Sequence, residues 1–121
     1  MATSKIKNTP SIIEQGTSGI WEYRKWSDGT AECWGNYTLN FTSMLAWGSL
    51  FYSQPYATVY FPTGLFVSPP VVGMTHHGSV EGWFTSSYVN ENAVVNLYLV
   101  RALTATNGPA VVSIMAKGKW K

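Results

Sequence analysis

Apolar and polar residues alternate along most of this chain, and nowhere do apolar residues recur at helical spacing. From Tyr56 onward the alternation falls into Tyr56 to Phe61, Val71 to His76, Trp83 to Val89, Ala93 to Arg101 and Val111 to Trp120. These β-branched or aromatic runs are separated by Pro, Gly, Asn and Ser. Pro62, Pro69, Pro70 and Pro109 fall between runs, where proline breaks no ladder, and Asn90-Glu91-Asn92 and Thr106-Asn107-Gly108-Pro109 have turn composition. Strands at this spacing predict an all-β domain, an antiparallel sandwich or barrel. The apolar stretch Leu45 to Tyr52 is too short and too aromatic for a helix and reads as a loop followed by a strand fragment. Residues 1–12 are polar, with Pro10 and no period, and read as a lead-in; residues 13–121 form the single β domain.

The segment from Ile20 to Gly35 is a hairpin written in turn chemistry. Asp28-Gly29 between alternating aromatic residues is a strong signal for a two-residue type I′ turn. That turn would set Lys25 opposite Glu32, Arg24 opposite Cys33, Tyr23 opposite Trp34 and Trp21 opposite Asn36. One face would then carry Trp21, Tyr23, Trp34 and a Lys25/Glu32 ion pair, the other Glu22, Arg24, Trp26, Ala31 and Cys33.

The same run, Trp21-x-Tyr23-Arg24-Lys25-Trp26-Ser27-Asp28-Gly29-Thr30-x-Glu32-x-Trp34-Gly35, resembles the C-terminal domains of bacteriophage tail-fibre and related tail proteins. Val59-x-Phe61-Pro62-x-x-x-Phe66-x-x-x-Pro70-Val71-Val72, with Ile114-x-Ala116-x-Gly118 near the end, is similar to the H-type lectin pattern many such fibre tips share. The resemblance implies an antiparallel β-sandwich of about six strands, assembled as a homotrimer in the virion and made in the bacterial cytoplasm. Its implied partners are its own copies, the rest of the fibre and a bacterial cell-surface glycan.

Composition sharpens the picture. With 121 residues, 12% charged and 15% aromatic, the chain is small for its core and rich in rings that a monomer would leave in water, so either subunits or a ligand must cover them. A net charge of +2, with Lys117, Lys119 and Lys121 clustered only at the end, does not argue for nucleic acid. No run reaches the length of a membrane span, and Met1 to Gln15 holds no apolar signal segment. The single cysteine, Cys33, excludes an intrachain disulfide.

Candidate chemistry is sparse. His76 and His77 are adjacent and would point to opposite faces of a strand, and no Cys or further His stands at zinc spacing, so neither a metal nor a cofactor is expected. One histidine reads as packed or solvent-facing, the other as free to reach a ligand or a trimer axis. Of the acids, Asp28 is used by the turn and Glu32 by its cross-strand lysine; Glu14, Glu22 and Glu81 are scattered, and no nucleophile motif exists, so no enzyme is expected. Six tryptophans remain, most expected in the core or an interface, with Trp83 the exception because it follows the polar turn from His76 to Gly82. A glycan pocket combines aromatic planes for the apolar faces of sugar rings with polar side chains for their hydroxyls. The residues expected to carry it are His76, His77, Trp83, Tyr88 and Arg101. The rival expectation is a structural module that trimerises or caps a fibre without a receptor site of its own.

Overall fold

The computed structural model describes residues 9–78, 81–104 and 107–121. Residues 1–8 of the lead-in, Ser79 and Val80 of the turn before Trp83, and Thr106 of the last turn segment lie outside the described residues. The fold is all-β. Among the described residues there is no helix, and ten strands follow in order: β1 Ile12–Ser18, β2 Trp21–Trp26, β3 Thr30–Leu39, β4 Ser43–Trp47, β5 Leu50–Gln54, β6 Ala57–Tyr60, β7 Val71–His77, β8 Trp83–Val89, β9 Ala93–Arg101 and β10 Ala110–Lys119.

Strands β6 to β10 fall on the five runs seen in the sequence. With the β2–β3 hairpin they make seven of the ten; the other three are β1, of which only Ile12 belongs to the expected lead-in, and the β4–β5 hairpin, where Leu45 to Tyr52 reads in sequence as a loop followed by a strand fragment. The β1–β2 and β4–β5 hairpins close on a glycine at positive φ, Gly19 (φ 59) before Ile20 and Gly48 (φ 60) before Ser49, the pattern of a type II′ turn.

One antiparallel sheet runs β1-β2-β3-β10-β7. In the other, β9 is the centre: β8 pairs with it continuously from Val94 to Val100, so β5 and β6 share its opposite edge in succession, and β4 lies outside β5. Pro55 interrupts that shared edge, and the buried Ser53 hydroxyl takes the Leu99 N–H at 2.9 Å near the break.

Alternation puts Ala110, Val112, Ile114 and Ala116 of β10 into the core beside Ala31 and Cys33 of β3. Leu97 and Leu99 enter from the second sheet; so does Val94, because Asn96 at φ 54 shifts the alternation of β9 by one residue. Trp21 ties the sheets together: its ring lies 5.7 Å from that of Phe61, and its indole N–H donates to the Tyr60 carbonyl at 2.7 Å. It is the one fully buried tryptophan among the described residues; Trp26, Trp34 and Trp120 are half-buried, and Trp47 and Trp83 are exposed.

The β2–β3 hairpin forms, but with a different turn. Asp28 does not reach positive φ; its Oδ1 accepts from the Thr30 N–H at 2.9 Å and the Thr30 hydroxyl at 2.7 Å, bonds that also hold its carboxyl below its ordinary pKa. The Gly29 N–H donates to the Trp26 carbonyl at 3.1 Å and Gly29 takes φ 95, so the loop spends three residues, a type I turn with a glycine bulge. Every pair shifts by one: Arg24 faces Glu32, Tyr23 faces Cys33 and Glu22 faces Trp34. The ion pair is therefore Arg24–Glu32 at 3.9 Å, while Lys25 reaches Glu14 of β1 at 3.7 Å.

Two outcomes follow. Gly29→Ala places a Cβ at a left-handed φ and about 3.4 Å from Lys121, and should lower stability by about 1–2 kcal/mol in guanidinium unfolding; a wild-type midpoint would contradict the turn. Burial pushes the Cys33 thiol up to about 12, from 9.0. The folded protein should resist thiol reagents at pH 8 and react once unfolded. Because the folded pKa is the higher one, stability is intact below pH 9.0 and declines as pH rises towards 12, which unfolding curves across that range will register.

Candidate functional site

The corrected register composes the outward face of the first sheet. Across the strands run three rows, Thr17-Glu22-Trp34-Met115-Gly73, Gln15-Arg24-Glu32-Lys117-Val71 and Asn36-Ser113-Thr75. Residues paired across a ladder present their side chains to the same face. Trp34 thus stands in the middle of a polar field, with Met115 beside it and only a glycine beyond.

The result is a groove of about 640 Å³ floored by Gly35 and Ile114 and walled by Ile20, Glu22, Trp34, Asn36, Ser113 and Met115. A smaller hollow of about 250 Å³, bounded by Gln15, Thr17 and Arg24, adjoins it and shares Glu22 and Trp34 as a common ridge. The Arg24 guanidinium lies 5.2 Å from the centre of the Trp34 ring and is held there by Glu32. The positive charge is therefore anchored on one side of the indole.

At the other end of the groove, three strands are tied by side chains. The Ser113 hydroxyl donates to Asn36 Oδ1 at 2.6 Å, and His77 Nε2 bonds to the same hydroxyl oxygen. Chemically the groove offers an aromatic plane, a thioether, a carboxylate, an amide and a hydroxyl in a volume within the usual range for small-ligand sites. Such a set can hold a ligand by stacking and hydrogen bonding.

The residues expected from the sequence do not converge. His77 is exposed on the outward face of the first sheet and belongs to the groove's polar network. His76 turns inward, its ring edge-on to Phe84 at 5.5 Å. Trp83 and Tyr88 are both exposed, at opposite ends of β8 in the other sheet. Arg101 is buried, with its Nε–H directed at the Glu81 carbonyl at 3.4 Å, so its guanidinium holds the segment leading into β8.

The groove's own residues, Glu22, Trp34, Asn36 and Ser113, were missed because the type I′ register put Trp34 beside Tyr23 on the face of Trp21. The signal was present: the alternation of β3 and β10 marks Trp34, Asn36 and Ser113 as one face once Ala31 and Cys33 are assigned to the core. No family model, curated protein or solved structure matches the chain.

The placements of Arg101 and Tyr88 separate by stability. Arg101→Ala removes a buried hydrogen bond from a charged donor and should cost about 1–3 kcal/mol, whereas Tyr88→Ala should change the unfolding free energy by no more than about 0.5 kcal/mol; chemical denaturation of both variants checks the contrast.

Proposed function

We propose that this domain is a receptor-binding tip of a bacteriophage tail fibre, a homotrimer of H-type-lectin-like β-sandwiches that binds a bacterial surface polysaccharide without enzymatic action. The observation that carries the reading is the groove around Trp34. Its indole can take the apolar face of a sugar ring while Glu22, Asn36 and Ser113 meet hydroxyls, and His77 fixes the serine and amide in position. The two antiparallel sheets and the hairpin motif support the family resemblance. The virion is the corresponding location.

A second reading keeps the fibre and drops the receptor. Strand β1 is exposed along its whole length, and Ile12, Ile13 and Ile20 lie uncovered near it, which suits a subunit contact in a trimerising or capping module. A glycan array with the isolated domain distinguishes the two. Trp34→Ala and His77→Ala should weaken adsorption to the host or its purified polysaccharide while light scattering still reports a trimer. A trimer blind to every bacterial glycan favours the structural reading, and a monomer at micromolar concentration removes both.

A further inference from the structure

On the outward face of the second sheet, four aromatic side chains gather where the β4–β5 hairpin meets β9. Cross-strand pairing sets Leu45 beside Tyr52, Tyr52 beside Val100, and Val100 beside Trp83. Two residues along each strand, Trp47 and Tyr98 join the same face, and Tyr56 follows just after Pro55. Ring centres lie 5.1 Å apart for Tyr56 and Tyr98, 5.9 Å for Tyr52 and Tyr98, 6.2 Å for both Trp47–Tyr52 and Tyr52–Tyr56, and 6.5 Å for Trp47–Tyr98. Tyr52 and Tyr98 are half-buried and make the floor; Trp47, 53% exposed, and Tyr56, 40% exposed, make the rims of a hollow of about 260 Å³.

We propose that this hollow is a second carbohydrate site, selective for uncharged pyranose rings and separate from the Trp34 groove. The ring planes meet at 25° to 83° around the hollow, so a ligand settles in it against ring faces and edges. A pyranose does so with its C–H face, and three phenols and an indole N–H at the edges supply partners for its hydroxyls. Charge decides the class. Among the described residues only aromatic side chains line the hollow, and the faces of aromatic rings carry partial negative charge. A uronate or sialate would lose hydration there against a surface that repels it, with no arginine or lysine among the described lining residues to compensate. A neutral hexose or N-acetylhexosamine meets no such penalty. Trp83 shares the face two interstrand spacings from Tyr52, about 10 Å, within reach of a further sugar of the same oligosaccharide.

The test follows the indole N–H signals of the ¹⁵N-labelled full chain, with Trp47 assigned through Trp47→Phe. Probes are tetramers of glucose, mannose and N-acetylglucosamine, tetragalacturonate as the anionic match, and tetramethylammonium chloride. At least one neutral tetramer should move the Trp47 signal. Trp47→Ala should weaken that binding about tenfold, Trp47→Phe should restore most of it, and Trp83→Ala should remove any gain of tetramer over monosaccharide. Trp34→Ala should leave it unchanged, so this site and the groove on the other sheet stand or fall separately. The proposal is overturned if no neutral tetramer moves Trp47, if tetragalacturonate binds there as tightly, or if tetramethylammonium is the ligand. It is equally overturned if Trp47 shifts only with protein concentration, which would make the cluster a contact between copies.

Discussion

Because side chains alternate across a strand, the one extra residue in the loop between Trp26 and Thr30 decides which half of β3 enters the core. Asp28 spends its carboxylate on Thr30 and Gly29 absorbs the left-handed φ, so Ala31 and Cys33 go in while Glu32, Trp34 and Asn36 go out. Had the turn closed on two residues, β2 would have set Tyr23 against Trp34 and placed a large ring where the core holds a buried thiol. Strand β10 then reads the same register along its full length, from Ala110 opposite Leu39 to Lys119 opposite Thr30, and carries it on to β7. The outward rows that form the groove are the far side of that decision.

The turn is also where the chain's last residues are fastened. The Trp120 N–H donates to the Gly29 carbonyl at 2.9 Å and its indole N–H to the Trp26 carbonyl at 2.8 Å. Lys25 and Lys121 place their ammonium groups 5.5 and 4.9 Å from the same indole. Each of these cation–ring contacts is weak, but together with the two hydrogen bonds they tie the end of β10 to the loop that sets the register. Trp120, set among the terminal lysines Lys117, Lys119 and Lys121, is a structural anchor.

The two outward faces differ in chemical character although both display tryptophan. The first sheet surrounds Trp34 with Glu22, Arg24, Asn36 and Ser113, so recognition there would combine stacking with directional hydrogen bonds. In the second sheet the described residues that line the hollow with Trp47 are phenols, so recognition there would depend on ring faces. Under the proposed function, a fibre tip reading heterogeneous surface polysaccharide would gain from both, since the two sites would discriminate by different physical properties of the sugar.

Period and turn chemistry in the sequence were enough to determine the all-β class, the strands from β6 to β10 and the existence of the β2–β3 hairpin, because these depend on neighbours a few residues apart. The Gly48-Ser49 turn was legible in the same terms and overlooked. Tertiary structure alone decided the register of β3, since a two-residue and a three-residue loop both accept Asp-Gly and only the side-chain bonds of Asp28 and the volume available to Cys33 choose between them. It also decided that Arg101, a plausible sugar donor by residue type, is buried on a backbone carbonyl, and that His77 joins Ser113 and Asn36, residues far apart in sequence. Sites of this kind are assembled from pairings between distant strands, and a one-residue slip in any ladder replaces every side chain that faces the ligand.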